Sequence, residues 1–265
     1  MTDARVAARV AGHPEVDRWF DAWSQRLLAG AVDYLRSVAA EDPWHDRIAL
    51  SISAAVVRLS RQDSDTRYAA VAKQGDFQSG LAVLEASLRR TCDYLRSRSW
   101  KLRAEACVFE SDARNLEMLG DDSHDAAIFS PPYPNAYEYW LYHKYRMYWL
   151  RQDPIAVRTD ELGARPHYSK KNGLHEDDFA VRWARSSQMS RVLRPGSPVA
   201  IVVGDSMIGG RVVDNRSLLF DAAAGAGFTP RAATTRTIVR RRSSFNGSHG
   251  RGRDFEHMLL LERDQ

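Results

Sequence analysis

The stretch Asp125-Ala126-Ala127-Ile128-Phe129-Ser130-Pro131-Pro132-Tyr133 decides how the second half of the chain folds. Its apolar run reads as a short buried strand, closed by a small polar residue, two prolines and an aromatic ring. The prolines fix φ and remove two backbone donors, so the strand ends in a stiff loop at the carboxyl edge of a sheet. The carbonyls of Ser130 and Pro131 can then face a ligand as acceptors. Tyr133 offers a flat face on which a base can stack. Acceptors beside a π-face suit the exocyclic amino group of a nucleobase.

Working outward, strand and helix patterns alternate from residue 103 to the end, which argues for a parallel-type sheet with covering helices. Strands are expected at 105–110, 125–129, 198–203, roughly 232–240 and 256–262. The aromatic run Tyr137 to Trp149 reads as an amphipathic helix packing its rings. Before residue 100 the pattern is helical. Val16, Trp19, Phe20, Trp23, Leu27 and Leu28 recur at three- and four-residue spacing, and Asp42-Pro43-Trp44 marks a break before a second helix at 48–59. Ser60 to Tyr68 reads as a polar loop. Leu81, Leu84, Leu88, Cys92 and Leu95 form one stripe of a further helix over 81–98. The organisation therefore changes near residue 100, between a helical region (1–100), expected as an interface or lid, and an α/β domain (101–265).

Ser130-Pro131-Pro132-Tyr133 resembles catalytic motif IV of the DNA amino-methyltransferases, which methylate N4 of cytosine or N6 of adenine with S-adenosyl-L-methionine. The run from Ser130 to Trp140 is similar to the extended form of that motif. Ser111-Asp112-Ala113-Arg114, after Ala106 to Glu110, resembles the family's motif III strand and loop. Arg191-Val192-Leu193-Arg194-Pro195-Gly196 before Pro198 to Asp205 resembles the helix, turn and strand that follow. The match covers roughly residues 103–265, and it implies a Rossmann-like class I methyltransferase sheet with an N-terminal helical region.

One part of the family's pattern has no convincing copy, the Phe-x-Gly-x-Gly loop that holds the methionine part of the cofactor. Gly225 and Gly227 have suitable spacing but read as a helix ending at glycine before a strand. Gly204 to Gly210 follows a strand, yet comes after the Ser-Pro-Pro-Tyr loop. The sheet is thus expected to be incomplete, and the resemblance implies a second methyltransferase subunit carrying that loop.

The resemblance places Ser130, Pro131, Pro132 and Tyr133 at the target amine. In that scheme Ser130 and the Pro131 carbonyl accept its N–H bonds, and Tyr133 stacks on a base flipped out of the duplex. Asp112, Ala113 and Ser130 become cofactor contacts. Asp112 has an alternative reading as the N-cap of a helix over 113–119. Asn135, Tyr137 and Tyr139 are candidates for lining the pocket. Arg165, Lys170 and Lys171, then Arg240, Arg241, Arg242 and Arg251 in a Gly/Ser/Arg-rich loop, are candidates for phosphate contacts with DNA.

Composition agrees with this reading. Hydrophobic residues are 44% and charged residues 27% of 265, which is globular rather than disordered. A net charge of +4 and a pI near 9.1 suit a polyanionic partner. Two cysteines, an acidic residue near the N-terminus and no long apolar run point to a reduced cytoplasmic protein without signal peptide or membrane span. The eight histidines show no metal-ligand spacing. A serine first in the motif favours N4-cytosine over N6-adenine by resemblance, within a restriction or phage-defence system. Methylation of an RNA base amine, and a non-catalytic DNA-binding or scaffolding homologue, are the alternatives.

Overall fold

The computed structural model describes residues 15–65, 67–97, 106–134, 138–163, 188–208, 210–237 and 255–265. The chain divides into two units, Met1–Glu105 with Tyr139–Asp160, and Ala106–Glu138 with Glu161–Gln265. The helix after the Ser-Pro-Pro-Tyr loop therefore packs with the N-terminal helices, across the expected division at residue 100.

The first unit contains α1 (Val16–Trp19), α2 (Ala22–Ser37), α3 (His45–Leu59), the strands β1 (Gln62–Ser64) and β2 (Arg67–Ala70), and α4 (Phe77–Ser97). Later in the chain, α5 (Tyr139–Leu150) and α6 (Pro154–Asp160) join it. The break at Asp42-Pro43-Trp44 separates α2 from α3 as expected. The supposed polar loop at 60–68 instead contains β1, paired antiparallel with β2. A buried polar residue explains the difference. Gln62 is fully enclosed, and its amide donates to the carbonyls of Ser64 and Tyr142, so the hairpin is fastened to α5.

Trp19, Phe20, Leu28, Val56 and Tyr145 form the centre of this unit's core. Phe20 meets Tyr145 edge-on at 5.5 Å between centroids, a preferred ring geometry. The Tyr145 and Tyr68 hydroxyls pair at 2.7 Å. Burial, then the bond to Tyr68, pushes the Tyr145 phenol far above its ordinary range, so it stays neutral.

The second unit contains β3 (Ala127–Phe129), α7 (Met189–Val192), β4 (Pro198–Gly204), β5 (Ser206–Ile208), β6 (Arg211–Val213), α8 (Asn215–Ala224), β7 (Phe228–Thr237) and β8 (Phe255–Arg263). Its principal sheet has the order β3-β4-β8-β7. Among the described strands, β3 and β4 pair in parallel. β8 lies antiparallel between β4 and β7, so β3, β4 and β7 share one direction. The expectation of a parallel-type sheet is corrected to a mixed one, because the last strand returns into the sheet against its neighbours. The unit is nonetheless α/β, as the sequence indicated.

Alternation along β8 shows how one face is buried. His257, Leu259 and Leu261 point inward, whereas Met258 and Leu260 are exposed, the period of two that a half-covered strand requires. Leu219 and Ala223 of α8 cover the inner face over Val199, Ile201 and Val203. Each fully buried aliphatic side chain contributes about 1.5–3 kcal/mol. Asp214 caps α8 by accepting from the backbone N–H groups of Arg216 and Ser217.

The strand expected at 105–110 does not form: residues 106–110 are irregular and exposed, Val108 at 96%. A strand there needs a neighbour to bury its apolar side chains, and none of the described strands supplies one. The helix expected over 113–119 is a pair of turns. The segment is tied down from elsewhere, since the Arg191 guanidinium donates to the carbonyls of Leu116 and Leu119. Past Arg191 the chain turns into β4 at Gly196, whose φ of 78° is a left-handed conformation open to glycine at little steric cost. Cys92 and Cys107 are both free thiols. Among the described residues no helix is long and apolar enough to cross a membrane.

Candidate active site at the end of the parallel strand pair

The parallel pair β3–β4 ends in two neighbouring loops, and the Ser-Pro-Pro-Tyr motif leaves from the first. The Ser130 hydroxyl donates to the Val202 carbonyl at 2.9 Å, which fastens the motif to β4. The residue remains exposed. A hydroxyl has one donor and two acceptor lone pairs. With its proton committed to Val202, Ser130 presents only acceptor capacity to a ligand. Pro131 and Pro134 are buried, and Pro132 and Tyr133 are half-buried, so the loop is packed into the sheet rather than free.

Tyr133 sits against Gly204, the last residue of β4. A Cβ at Gly204 would lie 2.9 Å from Tyr133 Cε2, closer than side chains tolerate, and in tight contact at 3.3 Å with the Phe255 carbonyl oxygen. Here glycine is required by close approach and not by dihedral angle. The Tyr133 hydroxyl donates to Glu256 Oε1 at 3.1 Å, and Glu256 is in turn paired with Arg236 of β7. Three strands thus hold one tyrosine: β4 beneath its ring, β8 at its hydroxyl and β7 behind the carboxylate.

Behind this loop lies a polar chain that sequence reasoning missed. Asp205 and His257 are both buried. His257 Nε2 lies 3.0 Å from Asp205 Oδ1 and Nδ1 lies 2.9 Å from Thr235 Oγ1. Asn215, fully buried, donates through Nδ2 to the Gly204 carbonyl and to Ser206 Oγ. Polar groups in a core are mostly partnered; Asn215 Oδ1 has no partner among the described residues, and the bonds that are made hold both sides of the Gly204–Asp205 turn. The available signal was phase: His257 occupies the same inward register as Leu259 and Leu261.

Asp205, Asp214 and His257 bring one ligand atom each within 4.8 Å of one another. Their atoms are committed to hydrogen bonds, His257 at both nitrogens and Asp214 as the cap of α8. Burial raises the Asp214 carboxyl, but the Ser217 hydroxyl and backbone N–H outweigh it with help from Arg216, leaving it below its ordinary value.

Asp112 lies on an exposed turn. Its carboxylate accepts from both Nε and an Nη of Arg114 and from the Arg114 backbone N–H. The side-chain bond first, and the backbone bond second, hold the carboxyl below the usual range. A residue engaged in this way is a turn-former before it is a ligand. Ala113 sits in the same turn. Tyr139 opens α5 and belongs to the helical unit. The two glycine pairs weighed as cofactor loops behave as connectors. Gly225 caps α8, Gly227 turns into β7 with φ 83°, Gly204 is covered by Tyr133 and Gly210 lies in the turn between β5 and β6 with open space beside it, while Gly209 lies outside the described residues. The described residues therefore offer acceptors for an amine, and none of them forms a Phe-x-Gly-x-Gly loop. Asn135, Tyr137, Arg165, Lys170, Lys171, Arg240, Arg241, Arg242 and Arg251 lie outside the described residues.

No family model matches the sequence, and no curated protein matches it. Among solved structures, the chain has a faint likeness to a proposed DNA modification methylase of Thermus thermophilus. A selenomethionine form of that protein shows 20% identity over 58% of this chain and 51% of its own, with a TM-score of 0.31. Its complex with S-adenosyl-L-methionine shows 19% identity over 58% and 51%, with a TM-score of 0.32. The chain thus spans about half the length of the protein it matches. So low a score leaves the assignment to the residues themselves.

Proposed function

We propose that this chain is the target-amine half of a two-chain DNA amino-methyltransferase. The observation that carries the reading is the Ser130 hydroxyl, pinned as a donor to Val202 and left with acceptor capacity alone at the tip of a proline-stiffened loop. An aromatic amine is a poor nucleophile because its lone pair is delocalised into the ring. Two acceptors on its N–H bonds, the Ser130 hydroxyl and the Pro131 carbonyl, favour a pyramidal nitrogen whose lone pair is free to attack. Tyr133, held by Gly204 and Glu256, gives the flipped base a fixed surface. The acceptors are preorganised by the sheet and need not reorganise during reaction.

The methyl donor in this reading is S-adenosyl-L-methionine, an electrophilic methyl source, with which the Thermus protein forms a complex. A second subunit with a Phe-x-Gly-x-Gly loop supplies the cradle this chain's described residues lack. Asp112 and Ala113 would reach the cofactor only if Arg114 releases the carboxylate. The basic segments around Lys170 and Arg241 follow the duplex backbone. N4 of cytosine is the favoured target, within a restriction or phage-defence system. The protein acts in the cytoplasm, where thiols such as Cys92 and Cys107 stay reduced.

The test is transfer of labelled methyl from S-adenosyl-L-methionine to duplex DNA, by this chain mixed with the protein encoded beside it. Label in N4-methylcytosine, lost with Ser130→Ala, is the expected result. Label in N6-methyladenine would revise the target, and label in RNA alone would replace DNA. An unlabelled product in every mixture would favour a binding protein over an enzyme.

A further inference from the structure

The helical unit contains a cavity of about 730 Å³ between α3, α4 and the β1 hairpin. Two helix faces line it. Leu50, Ala54 and Arg58 share one face of α3, and Ser87, Arg90 and Tyr94 share one face of α4, each set at the three- and four-residue spacing of a single stripe. Of these six residues only Ser87 is buried, so the two faces line an open cleft at the surface of the unit. The cleft carries two guanidinium groups and a row of hydroxyls.

Charge in the cavity is unbalanced. Among the described residues that line it, Arg58, Lys73, Arg90 and Arg146 stand against two carboxylates, Asp63 and Asp65. Asp65 is taken by Arg146. Lys73 donates to the carbonyls of Val57 and Gln62. Burial lowers its pKa against the pull of Asp63 and Asp65, so both acids also lie close to that ammonium. Among the described residues, neither Arg58 nor Arg90 has a carboxylate partner. Arg90 has only a long contact of 3.5 Å to Ser87 Oγ. The wall behind them is fixed, since Thr91 donates to the Ser87 carbonyl and pairs with Ser51 Oγ at 3.1 Å. At the mouth, Leu50 and Tyr94 are 62% and 57% exposed.

Guanidinium forks match phosphate oxygens in shape and charge. Hydroxyls add neutral donors, and an exposed ring with an aliphatic neighbour accepts the face of a base. The volume falls in the range of small-ligand sites, about 300–1,000 Å³. We propose that this cavity is a nucleotide site, with the phosphate held by Arg58 and Arg90 and the base placed against Tyr94 and Leu50. The nucleotide is either free or part of a nucleic-acid strand, since both present the same phosphate and base. The site uses residues of the helical unit alone and does not depend on the methyl-transfer reading.

The experiment is calorimetry on the full chain with four probes: a deoxynucleoside 5′-monophosphate, the matching nucleoside, inorganic phosphate and a short single-stranded oligonucleotide. Binding of the monophosphate and not of the nucleoside is expected, weakened tenfold or more by Arg58→Ala or Arg90→Ala and abolished by the double variant. Tyr94→Ala should weaken the monophosphate while leaving the weaker phosphate signal unchanged. Binding of the oligonucleotide alone, lost in the double variant, assigns the site to a strand and supports the proposal. Both arginines are exposed, so unchanged melting temperatures should accompany the loss. Equal affinity for inorganic phosphate and monophosphate would overturn the nucleotide assignment. Unaltered binding in the double variant, or no binding of any probe, would overturn the site.

Discussion

The polar groups behind the candidate site and those lining the helical cavity are handled in opposite ways. In the sheet unit Asp205, His257, Thr235 and Asn215 are closed into hydrogen bonds behind the Ser-Pro-Pro-Tyr loop. In the helical unit Arg58 and Arg90 line a cavity in which neither has a carboxylate partner among the described residues. Closed polarity fixes geometry, because moving one bonded group strands another. Open polarity leaves a demand that a ligand can meet. The sheet unit is thus organised to position a loop, and the helical unit to receive something charged.

That contrast can be broken by substitution. The largest effect is expected from Ser130→Ala, which removes an acceptor from the amine site. Methyl transfer by the assembled enzyme should fall by about 10²–10³-fold, whereas the lost Val202 bond should cost stability only about 1 kcal/mol. A melting curve beside the rate separates the two. If the rate is unchanged, Ser130 is merely a fastening of the loop.

Gly204→Ala should come next. A methyl group there meets Tyr133 and the Phe255 backbone, and overpacking of this kind costs about 1–3 kcal/mol. Denaturant unfolding would measure it, and transfer should fall too as Tyr133 is displaced. His257→Leu should cost about 1–3 kcal/mol by leaving Asp205 buried without its partner. A cost near zero would mean that the chain of bonds is dispensable and the contrast between units overstated.

Asp214→Ala should cost about 1 kcal/mol at neutral pH through loss of the α8 cap. The sign of its pH dependence follows from a folded-state pKa below the ordinary carboxylate value. The stabilisation is present above the unfolded-state pKa and lost as pH falls through the folded one, so variant and parent should converge in acid. The smallest effect belongs to Arg58→Ala and Arg90→Ala. As exposed residues without carboxylate partners among the described residues, they should change stability by no more than about 0.5 kcal/mol. A larger loss would show that their charge supports the fold rather than awaiting a ligand.

Legibility in the sequence followed the locality of the signal. Strands at Ala127–Phe129, Pro198–Gly204 and Phe255–Arg263 were readable because apolar runs and alternation are local patterns. The stiff loop was readable because proline chemistry is local too. The direction of β8 was not, since whether a strand lies parallel or antiparallel depends on where the chain re-enters the sheet. Residues 105–110 misled because an apolar run does not become a strand without a neighbour. Asp112 pairs with Arg114, two residues away, and competes through that bond with the role its position suggested. The Asp205–His257 pair spans 52 residues, so only the inward phase of His257 hinted at it. Likewise the cavity joins helices separated by a hairpin, and its arginines read in sequence as ordinary surface charges.

The central claim is that this chain carries the amine side of the site and needs a second polypeptide for the cofactor side. Calorimetric titration with S-adenosyl-L-methionine tests it most directly, first with this chain alone and then with the protein encoded beside it. No binding alone and saturable binding in the mixture is the expected result. Tight binding by this chain alone would contradict the account, because the cofactor cradle would then lie within its own residues.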